Sequence, residues 1–228
     1  MKLLVWLLSE AKLYLINNYL RLIVFKMTKS NKEKAVDALL SLLEKENYNL
    51  ITIEKVARRA KLKKENIKAD FLDLDSIVHE FLNNIDLEVG DLTREDANTK
   101  DPKDILFNII LNKLELYSRQ RNAIINLIGK ESNFRNKYFF QMTNITRIFD
   151  SIYINDKQKN LYKLSRDIGL IHIYKQTIDQ WILDDDMSKI MSFLDQKLIK
   201  SGEIFEQISK PIKFVDNLVS KFSKSRSA

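Results

Sequence analysis

Residues that break helices are almost absent from this chain. Its 228 residues include four glycines and two prolines. A β-rich fold needs many tight turns, and such turns depend on glycine and proline, whereas long helices need neither. From residue 31 onwards apolar residues recur at steps of three and four, and no segment shows the alternation of a strand. The sequence therefore predicts an all-α fold.

The predicted helices form two groups on either side of a polar linker. In the first group, one helix begins near residue 31, a second follows the predicted N-cap Thr52, and two more cover 64–71 and 75–89. In the second group, helices are predicted at 103–118, 120–130, 134–152, 157–183 and 186–207.

The same patterns divide the chain into five regions. They are an apolar N-terminal extension at 1–27, a first helical domain at 28–90, an acidic linker at 91–104, a second helical domain at 105–208, and a basic amphipathic tail at 209–228. The apolar run at 3–8 is shorter than a membrane span or a secretory signal requires. Two interpretations of the extension stay open: an amphipathic helix at a membrane surface, and a translation start at Met27.

Positive charge is concentrated at the front of the chain. The whole chain carries a formal net charge of +7. Residues 1–71 hold 15 Lys and Arg against 8 acids, whereas residues 72–104 hold 3 against 10. One basic face is therefore expected to meet an anionic partner, either nucleic acid or a membrane surface. The absence of cysteine excludes disulfides and thiolate metal sites, and it fits a reducing compartment.

The segment ITIEKVARRAKLKKENIKADF, residues 51–71, is predicted to form a helix-turn-helix. It carries seven Lys and Arg against three acids. In such a unit the second helix enters the major groove of DNA, and its first turn reaches bases and phosphates. An asparagine there has the side chain that reads an adenine edge. The residues expected to contact double-stranded DNA are Thr52, Lys55, Arg58, Lys63, Lys64, Asn66 and Lys68.

This segment resembles the DNA-binding signature of the TetR family of repressors. The residues that match the signature are Thr52, Val56, Ala57, Ala60, Leu62, Ile67 and Phe71. The departures are Lys61 for the turn glycine, Lys63 for the capping serine, Lys68 for the tyrosine, Asp70 for the histidine and Leu74 for a lysine. The resemblance implies a TetR-like fold: a three-helix DNA-binding domain, a connecting fourth helix, and a helical domain that binds a ligand and forms a homodimer.

The second helical domain carries a resemblance of its own. The segments DPKDILFNIILNKLELYSRQRNAIINLI and IYKQTIDQWILDDDMSKIMSFLDQKLIKSGEIF are similar to the ligand domain of a TetR subgroup. They are also similar to an accessory family of ubiquinone biosynthesis, which keeps the TetR fold but binds lipid instead of DNA. The resemblance does not separate these two branches.

Apolar and aromatic residues of this domain either line a cavity for a small hydrophobic ligand or lipid, or form ordinary core. The candidate pocket residues are Phe107, Leu111, Leu114, Tyr117, Phe149, Tyr174 and Trp181. The apolar stripes of the last two helices are wider than one packing partner needs, which predicts a dimer interface. Its candidate residues are Leu170, Ile173, Met191 and Leu198.

Motifs of catalysis are absent from the sequence. It has no glycine-rich phosphate loop, no nucleophile elbow and no paired-histidine motif, so we expect neither an enzyme nor a bound cofactor or metal. The acidic run at 184–186 is expected to cap a helix rather than to hold a cation.

Two functions are left open by the sequence. The first is a cytoplasmic, ligand-responsive transcriptional regulator that binds DNA. The alternative is a lipid- or isoprenoid-binding accessory protein at the inner face of the membrane. The alternative would use residues 210–226, where basic residues flank an apolar face suited to an anionic lipid surface.

Overall fold

The computed structural model describes residues 29–96, 101–135, 137, 143–153 and 160–202. Within these ranges every regular element is a helix, which confirms the predicted all-α class. The chain divides into two compact units. We call the first the head, which comprises residues 29–39 and Thr52–Val78, and the second the body, which comprises Leu40–Ile51 and the described residues from His79 onwards.

The first three helices lie where the sequence predicts them. Helix α1 spans Asn31–Leu43, α2 spans Ile53–Ala60 and α3 spans Lys64–Asp70. Most apolar positions that predict the inward faces of the head are buried, whereas Ala60 and Leu62 are half-buried. The buried ones are Ala35, Leu39, Val56, Ala57, Ile67, Phe71, Ile77 and Val78. Hydrophobic periodicity therefore locates most of this core.

Helix α4 spans Leu74–Asp96, so it continues beyond residue 89, where the sequence predicted its end. The first residues of the predicted linker are helical as a result. Thr93 is fully buried, its hydroxyl donates to the Val89 carbonyl oxygen at 2.7 Å, and it accepts from the Asn112 amide at 3.2 Å. These buried contacts stabilise the helix on both sides of Gly90. They offset the low helix propensity of glycine, which costs only about 1 kcal/mol relative to alanine.

The body continues with helices close to the predicted ones. They are α5 at Pro102–Ser118, α6 at Arg121–Ile128, α7 at Thr143–Ile152, α8 at Asn160–Leu183 and α9 at 187–202. Asp186 accepts a hydrogen bond from the Ser188 amide at 3.0 Å, so the acidic run does cap α9. At the predicted start of the helix at 134–152, residues 134, 135 and 137 are helical. The predicted start of α8 and the predicted end of α9 lie outside the described residues.

The connection from α1 to α2 is held in the body by two asparagine side chains. The Asn49 amide donates to the Glu131 carbonyl oxygen at 2.8 Å, and its oxygen accepts from the Asn133 backbone amide at 2.9 Å. The Asn126 amide donates to the Leu43 carbonyl oxygen at 2.7 Å. These bonds tie the end of α1 and Asn49 to other residues of the body.

Candidate nucleic-acid interface

The turn between α2 and α3 closes on a left-handed lysine. Lys61 has φ 55° and ψ 37°, and it is the one non-glycine residue with positive φ in the part of the chain that the structure describes. The Leu62 amide donates to the Ala57 carbonyl oxygen at 3.0 Å, which is the bond that ends a helix in a Schellman motif. The turn expected from the resemblance is therefore present, although its usual glycine is not.

Replacing Lys61 with glycine is expected to raise the free energy of unfolding by about 1 kcal/mol, because glycine adopts this conformation without steric cost. Lys61→Ala is the matched control, since it removes the same charge but keeps the strained backbone. Urea denaturation of both variants gives the comparison. Equal stability of the glycine and alanine variants would contradict the assigned strain.

Thr52 begins α2 as predicted. Its hydroxyl oxygen accepts from the Lys55 amide at 3.4 Å. Beside it, Glu54 forms an ion pair with Lys64, the first residue of α3. Hydrogen bonds from the Lys64 ammonium, the Glu54 backbone amide and the Thr52 hydroxyl lower the pKa of the Glu54 carboxyl from 4.5 to about 2. This interaction therefore stabilises the head above the ordinary carboxyl pKa and is lost as the pH falls towards 2.

Helix α3 starts without a side-chain cap. Lys63 occupies the N-cap position and makes no capping hydrogen bond, as expected where lysine replaces serine. Lys63, Asn66 and Lys68 are exposed, and so is Arg58 on α2, whereas Lys55 and Lys64 are half-buried. The structure thus brings the predicted DNA-binding residues onto two adjoining short helices, with Lys64 engaged by an acid.

Three of the predicted pocket residues meet in the interior of the body. Tyr117, Tyr174 and Trp181 are at most 1% exposed, and the Tyr117 and Trp181 rings lie 6.3 Å apart. The Lys113 ammonium lies 5.9 Å from the Tyr117 ring centroid and 5.8 Å from that of Tyr174. The Leu114 side chain is also fully buried.

The other predicted pocket residues are Phe149, Phe107 and Leu111. The Phe149 ring stacks on the Tyr153 ring, with the two ring centroids 5.3 Å apart. The Arg166 guanidinium lies 5.0 Å from the Phe149 ring centroid. Phe107 and Leu111 are only half-buried. The assignment of these residues to one ligand pocket stays a prediction.

Sequence reasoning missed the charged residues around this core. Lys113 pairs with Asp86, and the two side chains are only 5% and 11% exposed. Arg121 donates to the Trp181 carbonyl oxygen at 2.6 Å, and its guanidinium lies 4.5 Å from the centre of the Trp181 ring. A signal for Lys113 was present, because it lies four residues after Ile109 and four before Tyr117 on a buried helix face.

The predicted dimer residues differ in exposure. Leu170, Ile173 and Leu198 are each at most 5% exposed within the single chain, whereas Met191 is 38% exposed. The width of the apolar stripes, which was the reason for predicting an interface, is thus explained for three of the four residues by cover from their own chain. Only Met191 keeps the exposure that contact with a second copy requires.

Two predicted regions lie outside the described residues, namely the N-terminal extension and the basic tail at 210–226. Among the described helices, none combines the length and apolar character needed to cross a bilayer. The described residues also contain no cluster of three or more His, Cys, Asp or Glu side chains placed to hold a metal ion.

No protein-family model matches the sequence, and no curated protein matches it. Among solved structures, the chain is similar to the dihydroxyacetone kinase operon activator DhaS, with a TM-score of 0.51 and 17% identity, covering 77% of this chain and 97% of that one. It is also similar to the fatty acid degradation regulator FadR from Bacillus halodurans, with a TM-score of 0.48 and 12% identity, covering 75% and 95%. A TetR transcriptional regulator from Rhodococcus sp. RHA1 follows, with a TM-score of 0.46 and 10% identity, covering 72% and 91%. At such identities the likeness concerns the fold alone. Together with the helical architecture, the likeness to DhaS confirms the all-α fold that the sequence predicts.

Proposed function

We propose that this chain is a transcriptional regulator that binds double-stranded DNA through its helix-turn-helix, acts as a homodimer and responds to a small ligand. The observation that carries the proposal is the exposed basic surface of the head. Lys63 and Lys68 lie at the start and end of α3, and Arg58 is exposed on α2. Phosphate contacts by such residues supply most of the affinity for DNA of any sequence.

The roles within this surface follow from side-chain chemistry. In a helix-turn-helix the second helix lies in the major groove, so α3 is the recognition helix in this proposal. Asn66 is exposed on it and has the amide that pairs with adenine. In a dimer, two copies of α3 about 34–36 Å apart would reach successive major grooves. Met191 is the exposed residue that we assign to the dimer contact.

A regulator is also what the name of the similar DhaS structure describes, namely an operon activator. The two chains are similar in fold alone, so this similarity supports the proposal only through the fold. A ligand would act by favouring one state of the body over another, which is a shift between populations rather than a new chemistry. The aromatic cluster around Tyr117 and Tyr174 is the part of the body that we assign to the ligand. A regulator of this kind would act in the cytoplasm, where its DNA lies.

Replacing Lys63 and Lys68 together with alanine is expected to weaken binding to a short DNA duplex. The dependence of log affinity on log salt should fall by about 1.8, because each lost phosphate contact removes about 0.9. A salt titration followed by fluorescence anisotropy measures this slope. Lys130→Ala with Lys200→Ala is the matched control, since both lysines are exposed in the body and the charge change is the same.

Two outcomes would count against this proposal. An unchanged salt slope in the Lys63 and Lys68 variant would remove these residues from the interface. A wild-type chain that binds no duplex at low salt would remove the function itself. If that same chain floats with anionic liposomes, the lipid-binding alternative takes its place.

A further inference from the structure

We infer that Glu54 acts as an internal competitor of the DNA backbone: it keeps Lys64 in an ion pair, so that Lys64 makes no phosphate contact when the head binds DNA. This inference rests on the proposed function and concerns the regulation of the same surface. It makes Glu54 a residue that sets DNA affinity without touching DNA.

The geometry places Glu54 and Lys64 together across the turn. Glu54 lies in the first turn of α2, and Lys64 is the first residue of α3. Their side chains form an ion pair in which Lys64 is 40% exposed and Glu54 is 53% exposed. The pair is therefore open to solvent and to an approaching DNA strand.

The donors that hold the Glu54 carboxylate are those that proteins offer to phosphate. They are the Lys64 ammonium, a backbone amide in the first turn of a helix, and the Thr52 hydroxyl. Ammonium groups, hydroxyls and backbone amides are all among the donors by which proteins contact the DNA backbone. Glu54 thus occupies two of the residues, Thr52 and Lys64, that the sequence assigned to DNA.

This competitor stays charged at any pH at which the protein would bind DNA. The same three donors lower the pKa of the Glu54 carboxyl to about 2. The carboxylate therefore remains an acceptor for Lys64 through the physiological range, and only a competing anion can displace it. Lys63 and Lys68 differ from Lys64, because among the described residues neither has an ion-pair partner.

The test is a double-mutant cycle on binding to a short DNA duplex of mixed sequence, which reports phosphate contacts. The Glu54→Gln variant should bind the duplex about fivefold more tightly than wild type, because Lys64 is released from an exposed ion pair of modest strength and can contact phosphate. The added phosphate contact should steepen the salt slope by about 0.9. Lys64→Met should cost about fivefold in the Glu54→Gln background but less than about twofold in the wild-type background.

Glu65→Gln is the matched control, because Glu65 is an exposed acid in the first turn of α3 and the charge change is identical. In that background Lys64→Met should cost as little as in wild type. Equal gains from Glu54→Gln and Glu65→Gln, with equal costs of Lys64→Met in both, would show a general effect of charge and overturn the inference.

A second measurement needs no DNA. Titration of the Glu54 carboxyl by NMR should show its pKa rising from about 2 towards 4.5 in Lys64→Met. No rise would overturn the inference whatever the DNA result. A wild-type chain that fails to bind DNA overturns the proposed function and this inference together, whereas binding without coupling between Glu54 and Lys64 overturns the inference alone.

Discussion

Replacing Lys113 with methionine is expected to lower the free energy of unfolding by about 3–5 kcal/mol, because it leaves a buried carboxylate without its counter-ion. The partner Asp86 is only 11% exposed, and its remaining hydrogen bond comes from the Asn144 amide at 2.7 Å. The substitution also removes the ammonium that lies 5.9 Å from the Tyr117 ring centroid and 5.8 Å from that of Tyr174. Chemical denaturation followed by circular dichroism measures the loss.

Adding Asp86→Asn to Lys113→Met should recover at least half of that loss. Asparagine keeps an oxygen for Asn144 but carries no charge, and neutral replacements of buried pairs are often well tolerated. The control is Arg119→Met, which breaks the pair between Glu88 of α4 and Arg119, the residue that directly follows α5. Their side chains are 45% and 65% exposed, respectively. Breaking that exposed pair should lower the free energy of unfolding by less than about 1 kcal/mol. Equal losses from Lys113→Met and Arg119→Met would contradict the burial of the first pair.

Truncating Trp181 to alanine should destabilise the body by about 3–5 kcal/mol, as expected for a large side chain removed from a packed core. Its side chain is fully buried, its indole N–H donates to the Ser118 hydroxyl at 3.3 Å, and its ring contacts Tyr117. Trp181→Phe keeps the ring contact and loses only the hydrogen bond and some volume, so it should cost clearly less.

The control for Trp181 is Leu183→Ala, on the same helix and 73% exposed, which should change stability by no more than about 0.5 kcal/mol. The comparison separates the two interpretations of Trp181 that the sequence left open. A tryptophan that lines an open ligand cavity loses few contacts when truncated, so a small loss in Trp181→Ala would favour the cavity. The full loss would identify it as core.

Local signals were enough to predict the fold class and the start of α2. The scarcity of glycine and proline predicted helices, and the N-cap Thr52 was read from its residue type alone. The end of α4 was predicted wrongly, because its extension depends on a bond between Thr93 and Asn112, which lie on different helices. Residue types near Gly90 cannot reveal such a contact.

The body was harder to predict for two physical reasons. Charged side chains are seldom buried, so residue type gives no reason to place Lys113 in the core, although its helical position matches the inward face. An apolar stripe shows that a helix is covered but not by what. Leu170 and Leu198 were therefore assigned to a second copy, whereas their own chain covers them. The sequence gives no sign of the ion pair between Glu54 and Lys64, because an ion pair across a turn leaves no periodic signal.

The enclosure of Trp181 gives this protein a built-in optical probe. The sequence holds two tryptophans, so a Trp6→Phe variant would leave Trp181 as the sole indole emitter. Shielded from water and lying against a guanidinium, this indole should emit at short wavelength when folded and shift to the red when its surroundings open. Fluorescence would then follow the body alone, while circular dichroism follows every helix. Melting curves that fail to coincide by these two signals would show that the head and the body unfold in separate steps.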